Sequence, residues 1–175
     1  MEKFTFFWGG PFSQWAKSPF QINGLEFNCA EQWMMYAKAR IFGDLKIADE
    51  ILKTSDPQEQ KALGRKIANF NPNKWNEVAK DVVYVGSYAK YSQNKDFKNV
   101  LLATVGTTLV EASTYDTIWG IGLAENDPLA LSKDTWKGTN WLGYILTELR
   151  DEFIQDHPNL DDCHHDLVIS ILGRL

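Results

Sequence analysis

Cysteine is scarce in this chain: Cys29 and Cys163 are its only two. Two thiols build neither a disulfide framework nor a zinc set, and their rarity fits a reducing compartment. Long apolar runs are missing as well. No stretch of about 18 consecutive apolar residues occurs, which excludes a membrane-spanning helix. The first residues, Met1-Glu2-Lys3-Phe4, lack a basic n-region and an apolar h-region, so no secretory signal is expected and a cytoplasmic location is. The sequence has no P-loop and no Gly-x-Ser-x-Gly nucleophile elbow. Histidine is confined to His157, His164 and His165, among Asp161, Asp162, Cys163 and Asp166. Their spacing matches no standard zinc set, and no metal is expected.

Net positive charge is absent too. The 18 Lys/Arg against 23 Asp/Glu give −5, which argues against a protein that coats duplex DNA by counterion release. The charge is unevenly spread. Residues 1–100 hold 14 basic and 11 acidic side chains, net +3, and the remaining residues hold 4 and 12, net −8. A local basic patch in the first hundred residues could still hold a phosphate-bearing ligand or guide a strand.

What is present suits one folded domain: 175 residues, 44% apolar and 23% charged. Aromatic residues reach 13% with seven tryptophans, several beside Gly, Pro, Asn or Asp, where a core seldom needs a large ring.

The chain opens with short strands and turns. Lys3 to Trp8 is rich in β-formers and is stopped by Gly9-Gly10-Pro11; Phe20 to Phe27 contains the Asn23-Gly24 hairpin signal. Helices follow. Asn28 and Glu31 resemble a capping box before an apolar stretch ending at Gly43. Asp44, Asp56-Pro57 and Asn71-Pro72 each mark a further helix start, and a fifth helix is expected from about Asp96 to Thr104. Thr107 to Ala112 reads as a strand, and residues 113–139 are loop-rich. A last clear helix starts near Asn140, and Leu167 to Leu172 could dock as a tail helix. The expected fold is mainly α (α+β), one domain over residues 1–156 with about six helices and a small β element near its start. Residues 157–175 form a tail.

Several residues could carry chemistry. Glu31 and Lys38 are seven apart, which places both on one helical stripe about 10 Å apart along the axis at about 1.5 Å per residue. A carboxylate and an amine on an apolar stripe must reach solvent, a partner or a ligand. The alternative makes Glu31 a capping residue and Lys38 a snorkelling one. Asp116 stands three residues before Trp119-Gly120, where glycine permits close backbone approach and indole offers a stacking face. Trp136 and Asn140 place another ring and an amide at the start of the last helix; Asn140 could cap it or read a ligand. Gly64-Arg65 pairs a costly helical glycine with a bidentate anion donor.

Taken in order, these segments resemble a known family. Phe7-Trp8 with Pro11 to Trp15, Ala30-Glu31-Gln32-Trp33-Met34-Met35 with Lys38-Ala39 and Phe42-Gly43-Asp44, Gly64-Arg65, Trp75, and Lys90-Tyr91-Ser92-Gln93-Asn94 follow one another. Leu101 to Thr104, Leu109 to Ala112, Asp116, Trp119-Gly120-Ile121-Gly122 and Trp136 to Gly143 complete the series. The chain resembles the YbiA-like, or NADAR, family over about residues 6–150. The resemblance implies a hydrolase, an N-glycosidase of ribosylated bases. Its substrate is then an ADP-ribosyl or ribosyl-phosphate compound, with two activities in view. One removes ADP-ribose from guanine, including guanine in DNA, and so reverses ADP-ribosylation. The other cleaves phosphorylated ribosylamino intermediates of riboflavin synthesis. No cofactor is implied. On this reading Lys38 is the nucleophile, Glu31 its acid/base partner and Asp116 a support for the sugar. Trp8, Trp75, Trp119, Gly120 and Trp136 wall the pocket, Arg65 meets phosphate, and Asn140 contacts the ligand. The reading from another class is a non-catalytic ADP-ribose or nucleotide-binding module.

Overall fold

The computed structural model describes residues 2–156 and 160–172. The chain forms two compact units. One comprises Met1–Ser13 with Asp96–His157; the other comprises Gln14–Lys95 with Pro158–Leu175.

In the first unit, β1 (Phe4–Phe7) pairs in parallel with β4 (Thr108–Glu111), in a register running from Phe4 opposite Thr108 to Phe7 opposite Glu111. Both segments were legible as strands, but not their pairing across most of the sequence. Leu109 and Val110 are fully buried there. Helix α6 (Trp141–Gln155) packs on β4, where Thr147 Oγ1 accepts from Leu109 N at 3.0 Å and a Cβ at Gly143 would strike Leu109 O; Leu142, Ile145, Leu146 and Leu149 are among its buried residues. Arg150, 3% exposed, donates from Nη1 to the carbonyls of Thr104 and Thr107, which ties α6 to the chain entering β4. Its charge meets Asp151 at 2.8 Å. Val110, Ile121, Leu123 and Ala130 form a small core, with Phe4, Phe6 and Trp136 against it.

The second unit is built around α1 (Ala30–Ile41), which packs on α2 (Leu45–Lys53), α3 (Pro57–Gly64) and α4 (Pro72–Gln93). The hairpin of β2 (Phe20–Ile22) and β3 (Leu25–Phe27) turns through Asn23 and Gly24 at φ 50° and 75°, as a type I′ turn requires. Three expected caps form: Asp44 accepts from Ile47 N, Asp56 from Gln58 N, and Asn71 from Asn73 N and Lys74 N. The fourth does not. Cys29 occupies the N-cap of α1 without a side-chain bond. The Asn28 amide instead donates to Ser55 O and accepts from Gln60, because burying that junction demands partners for its polar groups. Gln32, not Glu31, reaches back, accepting from the Asn28 N–H at 2.7 Å.

The described residues contain seven α-helices: six lie within residues 1–156, the number expected there, and the seventh lies in the tail. Helix α5 (Lys95–Leu102) is shorter than expected. Helix α7 (Leu160–Leu172) lies in the expected tail and docks on α4 and α1, with Val168 and Ile171 buried. Tyr88 donates to Asp161, and the His164 ring lies 4.2 Å from the Tyr88 ring. His157 lies outside the described residues.

Candidate active site

Helix α1 carries the central pair. Glu31 sits in its first turn, 5% exposed, and its backbone N–H donates to Gln14 O. Lys38 stands two turns later and is half-buried. Its Nζ donates to the carbonyl of Gly64 at 3.1 Å, 4.2 Å from the Phe70 ring centre and 5.7 Å from that of Trp75. Burial lowers the Lys38 pKa from its ordinary value; Glu31 opposes that shift and Arg65 adds to it. One amine thus feels a carboxylate and a guanidinium together, inside an aromatic box. That combination makes the neutral amine more accessible than on a surface lysine.

The local sequence explains the box. Gly64 ends α3, where a side chain would collide with Met35 Sδ on α1, so glycine lets the two helices touch. Its freed carbonyl, at the helix C-terminus, becomes the acceptor for Lys38. Arg65 follows as the exposed C-cap residue. Asn71 and Pro72 start α4, and Trp75, 8% exposed, is presented from its first turn.

Phe70 was missed in the sequence, although a large ring flanked by Asn69 and Asn71 satisfies the criterion used there for the tryptophans. Lys90 was also passed over. It is 2% exposed on α4, and burial lowers its pKa to about 7, with Cys29 opposing.

The remaining candidates lie in the other unit. Asp116 Oδ1 accepts from the N–H groups of Ile118 and Trp119 at 2.9 and 2.7 Å, an Asx turn that shapes the loop. Gly120 is buried there, and a Cβ would come 2.7 Å from Glu111 O, which leaves room only for glycine. Trp119 packs edge-on against Trp141, with ring centres 5.6 Å apart. Trp8 follows β1 and is 70% exposed.

Trp136 donates from its indole nitrogen to Ala130 O and packs on Phe4 at 5.4 Å, which makes it a part of the local core.

Asn140 needs a correction. It was expected to cap α6 or read a ligand and makes no side-chain cap bond. Fully buried, it accepts from Glu111 N and donates to Leu109 O, both at 3.0 Å, filling the open edge of β4. The first N–H groups of α6 are taken instead by Ile118 O and Trp119 O. The Asn140 amide therefore serves the framework, with one N–H and its oxygen engaged by β4 inside the unit.

No group of three or more His, Cys, Asp or Glu suited to a metal ion occurs among the described residues. No helix among them is long and apolar enough to cross a membrane.

The NADAR domain profile matches residues 6–154 of this chain. The chain belongs to the NADAR family. Protein irg-1 of Caenorhabditis elegans is 44% identical over 130 residues, covering 73% of this chain; the match spans about 61% of that longer protein. N-glycosidase R617 of Acanthamoeba polyphaga mimivirus is 40% identical over 164 residues, covering 86% of this chain and 96% of the viral protein. The NMR structure of the E. coli protein YbiA matches with a TM-score of 0.73 at 28% identity, covering 89% of this chain and 88% of that one. The NADAR profile thus begins at β1, spans both units and ends within α6, leaving α7 outside it.

Proposed function

We propose that this chain, an N-glycosidase of the NADAR family, removes ADP-ribose from guanine, including guanine in DNA. The observation that carries the reading is Lys38: a half-buried amine under the influence of Glu31 and Arg65, faced by Phe70 and Trp75. A glycosidase of ribosylated bases needs a group that meets positive charge at ribose C1 and a proton for the departing base.

The steps follow from those groups. As the C1–N bond breaks, its electron pair leaves with the base, and Glu31 in its acid form supplies the proton. The neutral Lys38 amine adds its lone pair to C1. The ring oxygen then accepts a proton from the ammonium so formed on Lys38 as the C1–O bond opens, leaving a protonated imine between Lys38 and the sugar. Water adds to that imine, Glu31 takes up a proton, and the amine departs, releasing free ADP-ribose. Arg65 pairs with a phosphate, and Trp75 offers a flat apolar wall. Asp116, Trp8, Trp119 and Gly120 belong to the other unit and enter this reading through the family resemblance alone.

The experiment presents the protein separately with ADP-ribosylated DNA and with phosphorylated ribosylamino riboflavin intermediates, and measures the released ADP-ribose or base. ADP-ribose release from modified guanine is the expected result. Turnover of neither substrate rejects the reading. The riboflavin-type activity is the second reading, favoured by the net charge of −5, which suits a small substrate better than a polyanion.

A further inference from the structure

Positions 31, 34 and 38 of α1 are three and four apart and share one stripe, so Met34 stands between the Glu31 carboxylate and the Lys38 amine. The segment that leads into the β2–β3 hairpin crosses this stripe. The backbone carbonyl of Gln14 accepts from Glu31 N at 2.9 Å, which pins residue 14 over the first turn of the helix. Its side chain reaches one turn further, and Nε2 donates to Met34 Sδ at 3.5 Å.

That is the one side-chain hydrogen bond Gln14 makes among the described residues, and a thioether is a weak acceptor. A carboxamide has two N–H donors and a carbonyl with two lone pairs, so most of its capacity is unspent. Glu31 and Met34 are buried, whereas Gln14 and Lys38 are both partly exposed. An accessible amide thus lies over the gap between acid and amine, with Met34 beneath it.

In the reaction proposed above, ribose C1 lies between the amine that attacks it and the acid that protonates the base. The sugar then covers Met34 and meets Gln14. C1 has two ring neighbours, the ring oxygen and C2. The ring oxygen shares the positive charge that develops as the C1–N bond breaks, which disfavours an N–H donor there. A C2 hydroxyl both donates and accepts, which matches an amide, and hydrogen bonds to it strengthen in the transition state of glycoside cleavage.

We propose that Gln14 is a substrate-contacting residue of this site, its side-chain amide holding the C2 hydroxyl of the ribose while Lys38 attacks C1. The inference rests on the roles given above to Lys38 and Glu31, and not on which base is removed. Giving up one N–H···S contact costs little, so the amide turns from Met34 to the hydroxyl as the sugar enters.

Ribose 5-phosphate, the fragment that both substrate readings share, is the probe, and 2-deoxyribose 5-phosphate is its control. Heat of binding and the Gln14 Nε2–H resonances of the full chain read the contact without any substitution. Ribose 5-phosphate is expected to bind about tenfold more tightly than the deoxy sugar and to be alone in shifting those resonances. Gln14→Met keeps the length of the side chain and the backbone carbonyl, and is expected to abolish that preference with the urea midpoint unchanged. With ADP-ribosylated DNA the same variant is expected to lower kcat about tenfold and to change KM less. Absence of saturation, equal binding of the two sugars, unmoved Gln14 resonances at saturation, or a Gln14→Met variant that keeps the preference or the full kcat each overturns the proposal. A Gln14-dependent preference in a protein that turns over neither base-bearing substrate supports this contact and rejects the guanine reading alone. Intact turnover without the preference rejects the Gln14 contact alone.

Discussion

Lys38 shows how little a residue's type says without its surroundings. On an exposed helix the amine would stay charged, and a carboxylate seven residues away, about 10 Å along the axis, would be too distant for a direct ion pair. Here burial lowers its pKa, Glu31 works against that shift and Arg65 reinforces it. Phe70 and the Gly64 carbonyl, both better partners for the ammonium than for the neutral amine, oppose full deprotonation. The rate should therefore climb with pH along a limb governed by Lys38, below the ordinary lysine range. Because Arg65 lowers that pKa, Arg65→Gln is expected to move the limb to higher pH and to raise KM for a phosphate-bearing substrate. A kcat/KM profile from pH 6 to 10 checks both. An unmoved limb would mean that Arg65 does not act on this amine. The identities of Glu31, Lys38 and Arg65 were legible in the sequence as chemistry-bearing types. That Lys38 bonds a glycine carbonyl and faces Phe70 was not, since both partners come from a separate segment whose approach depends on helix packing.

Elements explain why those partners meet. Helices α1 and α3 touch where Gly64 faces Met35, and any Cβ at that position strikes the thioether. Gly64→Ala is expected to destabilise the protein by about 1–3 kcal/mol through overpacking and to reduce turnover by displacing the carbonyl that holds Lys38. The double variant Gly64→Ala, Met35→Ala should recover part of that loss in urea unfolding; no recovery would place the damage elsewhere. In the other unit Asn140 does what a neighbouring strand would do for β4. Asn140→Ala strands a buried N–H and a buried carbonyl and puts alanine at a positive φ, so about 2–4 kcal/mol of stability is expected to go. Asn140→Asp keeps the acceptor but not the donor and is expected to fall between. The sequence marked Asn140 as a helix start correctly, because its neighbours carry the helical period. It did not reveal the side-chain task, which is set by a strand about thirty residues earlier. The same contrast holds for β1 and β4, each recognisable by β-formers, while their parallel pairing is a long-range fact.

At the scale of the whole molecule, the uneven charge of the sequence finds a structural counterpart. Most of the net basic stretch folds into the unit that holds Lys38, Arg65 and Arg40, and the acidic C-terminal half contributes most of the other unit. The acidic total therefore leaves room for a phosphate-bearing substrate, held locally and weakened by salt. Stability should also follow pH in a defined sense. Burial lowers Lys90 to about 7, so its cost is full below that value and fades as pH rises toward the ordinary lysine range. Burial lowers His164 to about 4, with Asp161 opposing and His165 adding. Its neutral form supports the docking of α7 above the ordinary histidine value, and that support is lost as pH falls toward 4. Both effects make the protein more stable at pH 9 than at pH 5. Urea midpoints across that range should rise with pH, and Lys90→Met with His164→Asn should flatten the rise. The mainly helical fold with a small β element was legible because caps and periodicity are local. The division into two units was not, since each is assembled from segments far apart in the sequence.

The central claim is that the Lys38 amine forms the bond that replaces the base, and borohydride reduction during turnover of ADP-ribosylated DNA tests it most directly. The account predicts a stable adduct between protein and ADP-ribose, located by peptide mass at Lys38 and absent from Lys38→Ala, which is also inactive. An untrappable protein whose Lys38→Ala variant still releases ADP-ribose would contradict it.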